Sequence, residues 1–300
     1  MLQVCLNGPR TAADSGAVPM SPAALAEAAR QAVAAGATDI HVHPETPCGR
    51  DSLSPRVVGP ALAALRAVVD VPVGVTTGVR AEPDPPRRVA RIGSWTVLPP
   101  PSSRLRSNRE VPPSKFSAPL EQGGTLIASV NWHEPGAEAV AAALLERGIG
   151  VEAGLWSGTD GPERFARSPL APRVLRVPAG VTATDPDTAT ATARALPAAV
   201  AMSGHGRPVL LHGSNGGAWP VLRLARQRGL DTRIGVEDTL LLPDGRPAAD
   251  NAQLVRATAG PGAPWDAAPA PRSRRVRRPG RARRGRTTGR TRRAVGRGSG

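Results

Sequence analysis

The sequence has 300 residues with 40% hydrophobic content, enough for one large domain or two small ones, and a (β/α)8 barrel of ~250 residues fits within that length. The formal net charge of +15 suggests a nucleic-acid partner, but residues 261–300 hold 13 arginines and one aspartate, which leaves a charge of only +3 on residues 1–260. The sequence shows no apolar run near the ~18 residues of a membrane span, no secretory signal and only two cysteines, so we expect a cytoplasmic protein without a disulfide framework.

Short apolar runs alternate with Ala-rich segments of helical period from residue 2 to about residue 256, a pattern typical of repeated βα units. Ser21 is the predicted N-cap of a first helix that Gly36 ends, and Gly148 ends a later helix over 137–147. Eight strand candidates favour an α/β fold of the (β/α)8 TIM barrel type over a doubly wound sheet. The sequence contains no G-x-G-x-x-G motif, which would indicate a dinucleotide-binding site. The predicted strands are Leu2–Leu6, Thr38–His43, Pro72–Thr77, Leu126–Trp132, Gly150–Trp156, Val174–Val177, Pro208–His212 and Thr232–Glu237.

Two segments break this pattern. Residues 99–125 contain the only lysine, Lys115, and a structureless loop of this length is uncommon inside a compact domain. This segment is either a functional lid or an irregular insertion before strand four, and its composition favours the insertion. After a final helix that starts at residue 251, residues 258–300 are rich in Arg, Gly and Pro and are predicted to be a disordered basic tail. We therefore predict a catalytic barrel domain over residues 1–257.

The basic tail can attract RNA or another anionic surface through charge alone. No Tyr or Phe lies between its arginines to stack on bases. We therefore do not expect specific nucleic-acid binding.

Two histidines stand at the end of the second predicted strand. Residues two apart on a strand point the same way, so His41 and His43 project together, and catalytic residues of a barrel lie at the carboxyl ends of its strands. Paired imidazoles at such a place suit Zn²⁺, which needs a third ligand, although packed or solvated histidines would give the same motif. Strand eight returns beside strand one and so near strand two. This places Glu237 as the candidate third ligand.

Further polar residues lie at strand ends. Asp238 follows Glu237, and Arg233 points to the same side from the same strand; the two either act on a substrate or form an ion pair that closes the barrel. Other strand-end residues either ring a substrate or form structural hydrogen bonds near the rim. These residues are Thr77, Ser129, Asn131, Glu152 and His212.

Several segments resemble those of the β-keto acid cleavage enzymes, whose founding activity is 3-keto-5-aminohexanoate cleavage. The motifs HVHP and TRIGxED are the more specific ones, and VCLNGPRT, VPVGVTTG and SVNWHEPG add to them. The resemblance covers about residues 2–98 and 126–256. It implies a zinc-bound TIM barrel, commonly oligomeric, that condenses a β-keto acid with acetyl-CoA to give acetoacetate and a new acyl-CoA.

The resemblance also implies roles for individual residues. His41, His43 and Glu237 match the metal ligands, and Asp238 and Arg233 match the pair that handles the substrate α-proton. Positions that contact substrate are matched by Thr77 and, at corresponding strand ends, by Ser129, Asn131 and Glu152.

Two alternatives stay open. A metal hydrolase of the amidohydrolase type also has an H-x-H motif, but it requires this motif on the first strand and a lysine or similar bridge on the fourth, whereas the only lysine here is Lys115. The second alternative is an inactive or truncated homologue whose basic tail binds anions without specificity. Stoichiometric zinc would argue against it.

Overall fold

The structure is a computed structural model that describes residues 1–95, 126–202 and 204–259. The chain divides into two units, Met1–Gly262 and Ala263–Gly300. The second unit lies outside the described residues, as do the predicted insertion over 99–125 and the predicted tail from residue 260 onward.

Eight parallel strands of the first unit close into a barrel in chain order, which confirms the (β/α)8 prediction. The first strand pairs with the second and the eighth, with Val4 opposite both Ile40 and Ile234. Because all strands run in parallel, their carboxyl ends meet at one end of the barrel. The strands are β1 Leu2–Cys5, β2 Asp39–Val42, β3 Val73–Thr76, β4 Leu126–Asn131, β5 Gly150–Trp156, β6 Val177–Val181, β7 Val209–Gly213 and β8 Asp231–Ile234.

An α-helix follows each strand in the described part of the chain. Ser21 caps the first helix, its Oγ accepting from the Ala24 N–H at 3.2 Å, and Gly36 follows that helix with a φ of 115°, both as predicted. None of the described helices is long and apolar enough to cross a membrane. The helices are α1 Pro22–Ala34, α2 Pro55–Arg66, α3 Pro85–Gly93, α4 Ala137–Glu146, α5 Gly161–Arg167, α6 Pro186–Met202, α7 Ala218–Gln227 and α8 Asn251–Thr258.

Two predicted strands differ from the observed ones by more than one residue at an end. Strand six was predicted over Val174–Val177 but runs over Val177–Val181, because pairing with β7 continues through Pro178 and Gly180, residue types that strands otherwise disfavour. Strand eight was predicted to reach Glu237 but ends at Ile234. The next residues form a turn instead, in which the Asp238 N–H donates to the Gly235 carbonyl at 2.9 Å.

The interior of the barrel contains a buried polar cluster, here called the lower layer, made of Gln3, Asp39, Glu152 and Arg176. Gln3 donates to Asp39 Oδ1 at 2.9 Å and to Glu152 Oε1 at 3.1 Å. Arg176 forms ion pairs with both carboxylates, at 2.9 Å from Asp39 Oδ2. Because β1 and β5 are not neighbours, these contacts cross the barrel. The alternate strand residues, such as Val4 and Ile40, are fully buried and belong to the hydrophobic core.

Candidate metal centre

The structure brings the three predicted metal ligands together at the carboxyl end of the barrel. Glu237 Oε2 lies 3.8 Å from His43 Nε2 and 4.0 Å from His41 Nε2. The ligand atoms of the three residues all lie within 4.8 Å of one another. His41 is part of β2, and His43 follows that strand, so the strand direction aims both rings at the same place.

The turn after β8 places Glu237, and two other segments hold that turn. Gly8 follows β1 with a φ of 62°, and a Cβ on it would lie 2.2 Å from Glu237 Cγ, so only glycine allows this close packing. Asn251, at the start of α8, accepts from the Val236 N–H at 3.0 Å and donates to the Leu6 carbonyl at 2.9 Å. Helix α8 therefore ties the Glu237 turn to the end of β1.

Glu237 presents one carboxylate oxygen to the two imidazoles. Its Oε1 accepts from Arg233 Nη2 at 2.8 Å, whereas its Oε2 is buried and has no hydrogen-bond partner among the described residues. Two imidazoles and a carboxylate are a donor set that Zn²⁺ binds, and the distances from Glu237 Oε2 to the two imidazole nitrogens, 3.8 and 4.0 Å, are within the ~4 Å that separates two ligand atoms each about 2 Å from one ion. The residues present therefore fit a single ion.

The pKa shifts of His41 and Glu237 favour the forms that bind a metal. Burial lowers the pKa of His41 to about 4, so its ring is neutral near pH 7, as a ligand must be. Burial alone would raise the pKa of Glu237, but the charge of Arg233 and the neighbouring His43 and His41 lower it well below its ordinary range. The carboxylate is therefore ionised.

His43 is anchored by two residues that the sequence analysis did not single out. Asn7 Nδ2 donates to the His43 carbonyl at 2.7 Å, and the His43 N–H donates to Asn7 Oδ1 at 2.9 Å. Asp51 Oδ2 lies 3.2 Å from His43 Nδ1. Asn7 is predictable from the sequence, because it is a polar residue just after β1, and polar residues at the ends of the other strands are the candidate site residues.

The predicted catalytic pair lies directly beside the three ligands. Arg233 donates through Nε and Nη2 to Asp238 Oδ1, at 3.1 and 2.8 Å. Asp238 is 1% exposed, and its Oδ2 is buried without a hydrogen-bond partner in the described part of the chain. Burial raises the pKa of Asp238 to about 6, although the Arg233 charge opposes this shift. His212 Nδ1, another buried atom, lies 3.8 Å from Asp238 Oδ1.

The residues predicted to contact substrate are engaged in internal hydrogen bonds. The Thr77 hydroxyl donates to the Ser129 carbonyl at 2.6 Å. Asn131 accepts from Trp156 Nε1 at 2.8 Å and donates to Glu134 Oε1 at 2.9 Å. The contact role of these residues stays a prediction.

Glu152, also predicted to contact substrate, is 1% exposed and bonded to Gln3 and Arg176 in the lower layer. The structure thus places it among partners within the barrel. Its substrate role likewise stays a prediction.

The sequence analysis did not predict one contact at the rim of the barrel. Arg10 Nη2 donates to Asn215 Oδ1 at 2.9 Å, and the Asn215 N–H donates to the Asp238 carbonyl at 2.6 Å. Asn215 has a φ of 51°, in the left-handed region that asparagine tolerates better than most residues. A single sequence gives no local signal for such a contact between loops.

A closed parallel barrel with a His-His-Glu triad at the carboxyl ends of its strands defines a TIM-barrel protein with a possible metal site. The profile of the beta-keto acid cleavage enzyme family matches residues 1–273. The chain therefore belongs to the beta-keto acid cleavage enzyme family, as its motifs predicted. No curated protein sequence matches the chain significantly.

Three solved structures of ObcA resemble this chain in fold. They are the binary complex with oxaloacetate (TM-score 0.54, 14% identity), the apo structure (0.53, 14%) and the ternary complex with a C4-CoA adduct and oxalate (0.55, 13%). The alignments cover 81% of this chain and 63%, 61% and 63% of the respective ObcA chains. This chain therefore spans less than two thirds of the length of ObcA.

Proposed function

We propose that this chain is a zinc-dependent β-keto acid cleavage enzyme that condenses a β-keto acid with acetyl-CoA and releases acetoacetate and a new acyl-CoA. The observation that carries the proposal is Glu237 Oε2, buried without a hydrogen-bond partner among the described residues and facing two imidazoles. Membership in the family supports the reaction class. The oxaloacetate and the CoA adduct of the ObcA structures support a keto acid and a CoA thioester as reactants.

His41, His43 and Glu237 would hold the ion. When bound, Zn²⁺ supplies Lewis acidity that polarises the keto and carboxylate oxygens of the substrate and makes the carbon between them more acidic. His41 and His43 are buried and Glu237 is half-buried, which limits water around this interaction and so strengthens it.

Asp238 is the proposed base for the α-proton. Arg233 holds its Oδ1 through two nitrogens, while Oδ2 has no hydrogen-bond partner among the described residues and can accept a proton. The same Arg233 also donates to Glu237 Oε1, so one guanidinium orients both the base and the ligand. A positioned base of this kind contributes typically ~10²- to 10⁴-fold to rate.

The proposed reaction requires no covalent bond between enzyme and substrate. The α-carbon, once deprotonated, attacks the thioester carbonyl of acetyl-CoA, and the CoA thiolate leaves. That thiolate then attacks the original keto carbon, and cleavage of the bond between this carbon and the α-carbon gives the new acyl-CoA. The α-carbon retains the acetyl group and the carboxylate and, after protonation, becomes acetoacetate.

Family membership removes the support for an amidohydrolase-type hydrolase. The resemblance of the motifs further leads us to propose a homo-oligomer that acts in the cytoplasm. Light scattering of the purified chain would test the oligomeric state.

The test of the proposed function is zinc content together with acetyl-CoA-dependent acetoacetate formation from a panel of β-keto acids. We expect about one zinc per chain in the wild type. The His41→Ala variant should lose this zinc, and its kcat/KM should fall by at least ~100-fold, because losing a ligand should cost no less than losing a residue that hydrogen-bonds to a ligand. His133→Ala is a matched control for metal binding, because His133 is not among the candidate ligands. A wild-type chain that binds no zinc would refute the proposal, and zinc without turnover would indicate an inactive homologue.

A further inference from the structure

We propose that Asp51 is a positioning residue of the metal centre, which holds the His43 ring so that Nε2 faces Glu237. The inference rests on the proposed metal function of the site. Asp51 Oδ2 lies 3.2 Å from His43 Nδ1, and the opposite ring nitrogen, Nε2, lies 3.8 Å from Glu237 Oε2. One imidazole thus spans the distance between two carboxylates.

A carboxylate at Nδ1 does two things for a ligand bound through Nε2. It keeps the proton on Nδ1, which leaves the Nε2 lone pair free for the ion, and it fixes the rotation of the ring. The bonds from Asn7 to the His43 backbone place the residue but do not set its side-chain rotation. Asp51 therefore supplies the polar contact that fixes the ring rotation, beside the edge contact of the ring with that of His41.

The two histidine ligands differ in this respect. His41 Nδ1 is buried and has no hydrogen-bond partner among the described residues. Its orientation depends on packing within β2 and the barrel interior. His43 lies beyond the end of β2, where strand pairing no longer restrains it, and here the structure supplies a carboxylate. The carboxylate partner is therefore present at the histidine that strand pairing does not hold.

The loop after β2 is folded so that it returns Asp51 to His43, eight residues earlier. Glu45 and Asp51 form an antiparallel bridge, and the Ser52 N–H donates to the Pro44 carbonyl at 2.9 Å. Gly49, with a φ of 73°, makes the tight turn between the two arms. The side chain of Asp51 is only 4% exposed as a result.

Besides Glu45 on the same loop, a charged side chain that approaches the Asp51 carboxylate is that of Arg80. Its Nε lies 3.6 Å from Asp51 Oδ2, and its Nη2 donates to the Pro9 carbonyl at 3.4 Å. The Arg80 side chain is 63% exposed, so water and salt screen this contact. His43 is the closer and more buried partner, and we expect the main effect of Asp51 at the metal.

The experiment measures zinc affinity of the full chain by competition with a chelator, together with the absorption spectrum of the Co²⁺-loaded protein and the Tm of the metal-free protein. Asp51→Asn should weaken zinc binding by ~10- to 100-fold and change the Co²⁺ spectrum, with the metal-free Tm unchanged. Asp51→Glu should recover part of the affinity. Asp70→Asn, at an exposed aspartate, is the matched control and should bind zinc as the wild type does.

The result that overturns the inference is Asp51→Asn binding zinc with wild-type affinity, or losing metal-free Tm in proportion to its loss of affinity, which would mean a structural role. A wild-type chain that binds no zinc at all defeats the proposed function instead. The wild-type titration therefore separates the two failures.

Discussion

The lower layer and the metal centre are two groups of charged side chains inside one barrel, and they differ in whether their carboxylate oxygens are paired. Both contain one arginine and two carboxylates. In the lower layer, Gln3 and Arg176 contact both carboxylates. In the metal centre, one oxygen each of Glu237 and Asp238 has no hydrogen-bond partner in the described part of the chain.

This difference separates a structural network from a ligand site. Buried polar atoms are almost always paired, so the unpaired Glu237 oxygen that faces two imidazoles is a candidate ligand atom, and the unpaired Asp238 oxygen beside it is a candidate proton acceptor. Asp39 and His41 are only two residues apart on β2, a distance of about 7 Å, so the two groups lie close together inside one barrel. The pairing of the carboxylates is what distinguishes them.

The largest effect is expected when Asp238, the carboxylate beside the candidate metal ligands, is changed. Asp238→Asn keeps an oxygen for Arg233 but removes the proposed base, so kcat/KM should fall by ~10²- to 10⁴-fold while zinc content stays at the wild-type level. Steady-state kinetics and metal analysis check this. Asp244→Asn, at an exposed position, is the matched control. An Asp238→Asn enzyme with wild-type turnover would show that Asp238 belongs to structure, like the lower layer.

The next effect concerns stability. Arg176→Met leaves Asp39 and Glu152 buried without their cation, and we expect the free energy of unfolding to fall by about 3–5 kcal/mol. Denaturant unfolding of the metal-free chain measures it. Arg173→Met, an exposed arginine on the same segment, should change stability by no more than about 0.5 kcal/mol. Equal stability of the two variants would contradict a structural role for the lower layer.

A smaller effect is expected at the contact between β1 and the Glu237 turn. Gly8→Ala adds a Cβ that would overlap the Glu237 side chain, so we expect a loss of about 1–3 kcal/mol in unfolding free energy and weaker zinc binding. Gly16→Ala, with open space around it, is the control for both measurements. Zinc affinity that stays unchanged in Gly8→Ala would mean that Glu237 can move without harm to the site.

Much of the site was predictable because it depends on strand direction. The H-x-H motif and the acid after strand eight meet since parallel strands in chain order bring β8 beside β1 and β1 beside β2. The error in strand eight did not disturb this prediction, because the turn that carries Glu237 still lies at the carboxyl end of β8. Strand six was misplaced because Pro178 and Gly180 obscured a strand that tertiary pairing stabilises.

The sequence by itself determined the barrel, the family and the three candidate ligands, because these follow from local periodicity and from motifs a few residues long. Only the tertiary structure decided which polar side chains are already paired. Gln3 and Glu152 are 149 positions apart, yet they share a hydrogen bond across the barrel. Asp51 reaches His43 only because its loop folds back. Such contacts depend on distances between elements, and no local pattern encodes them.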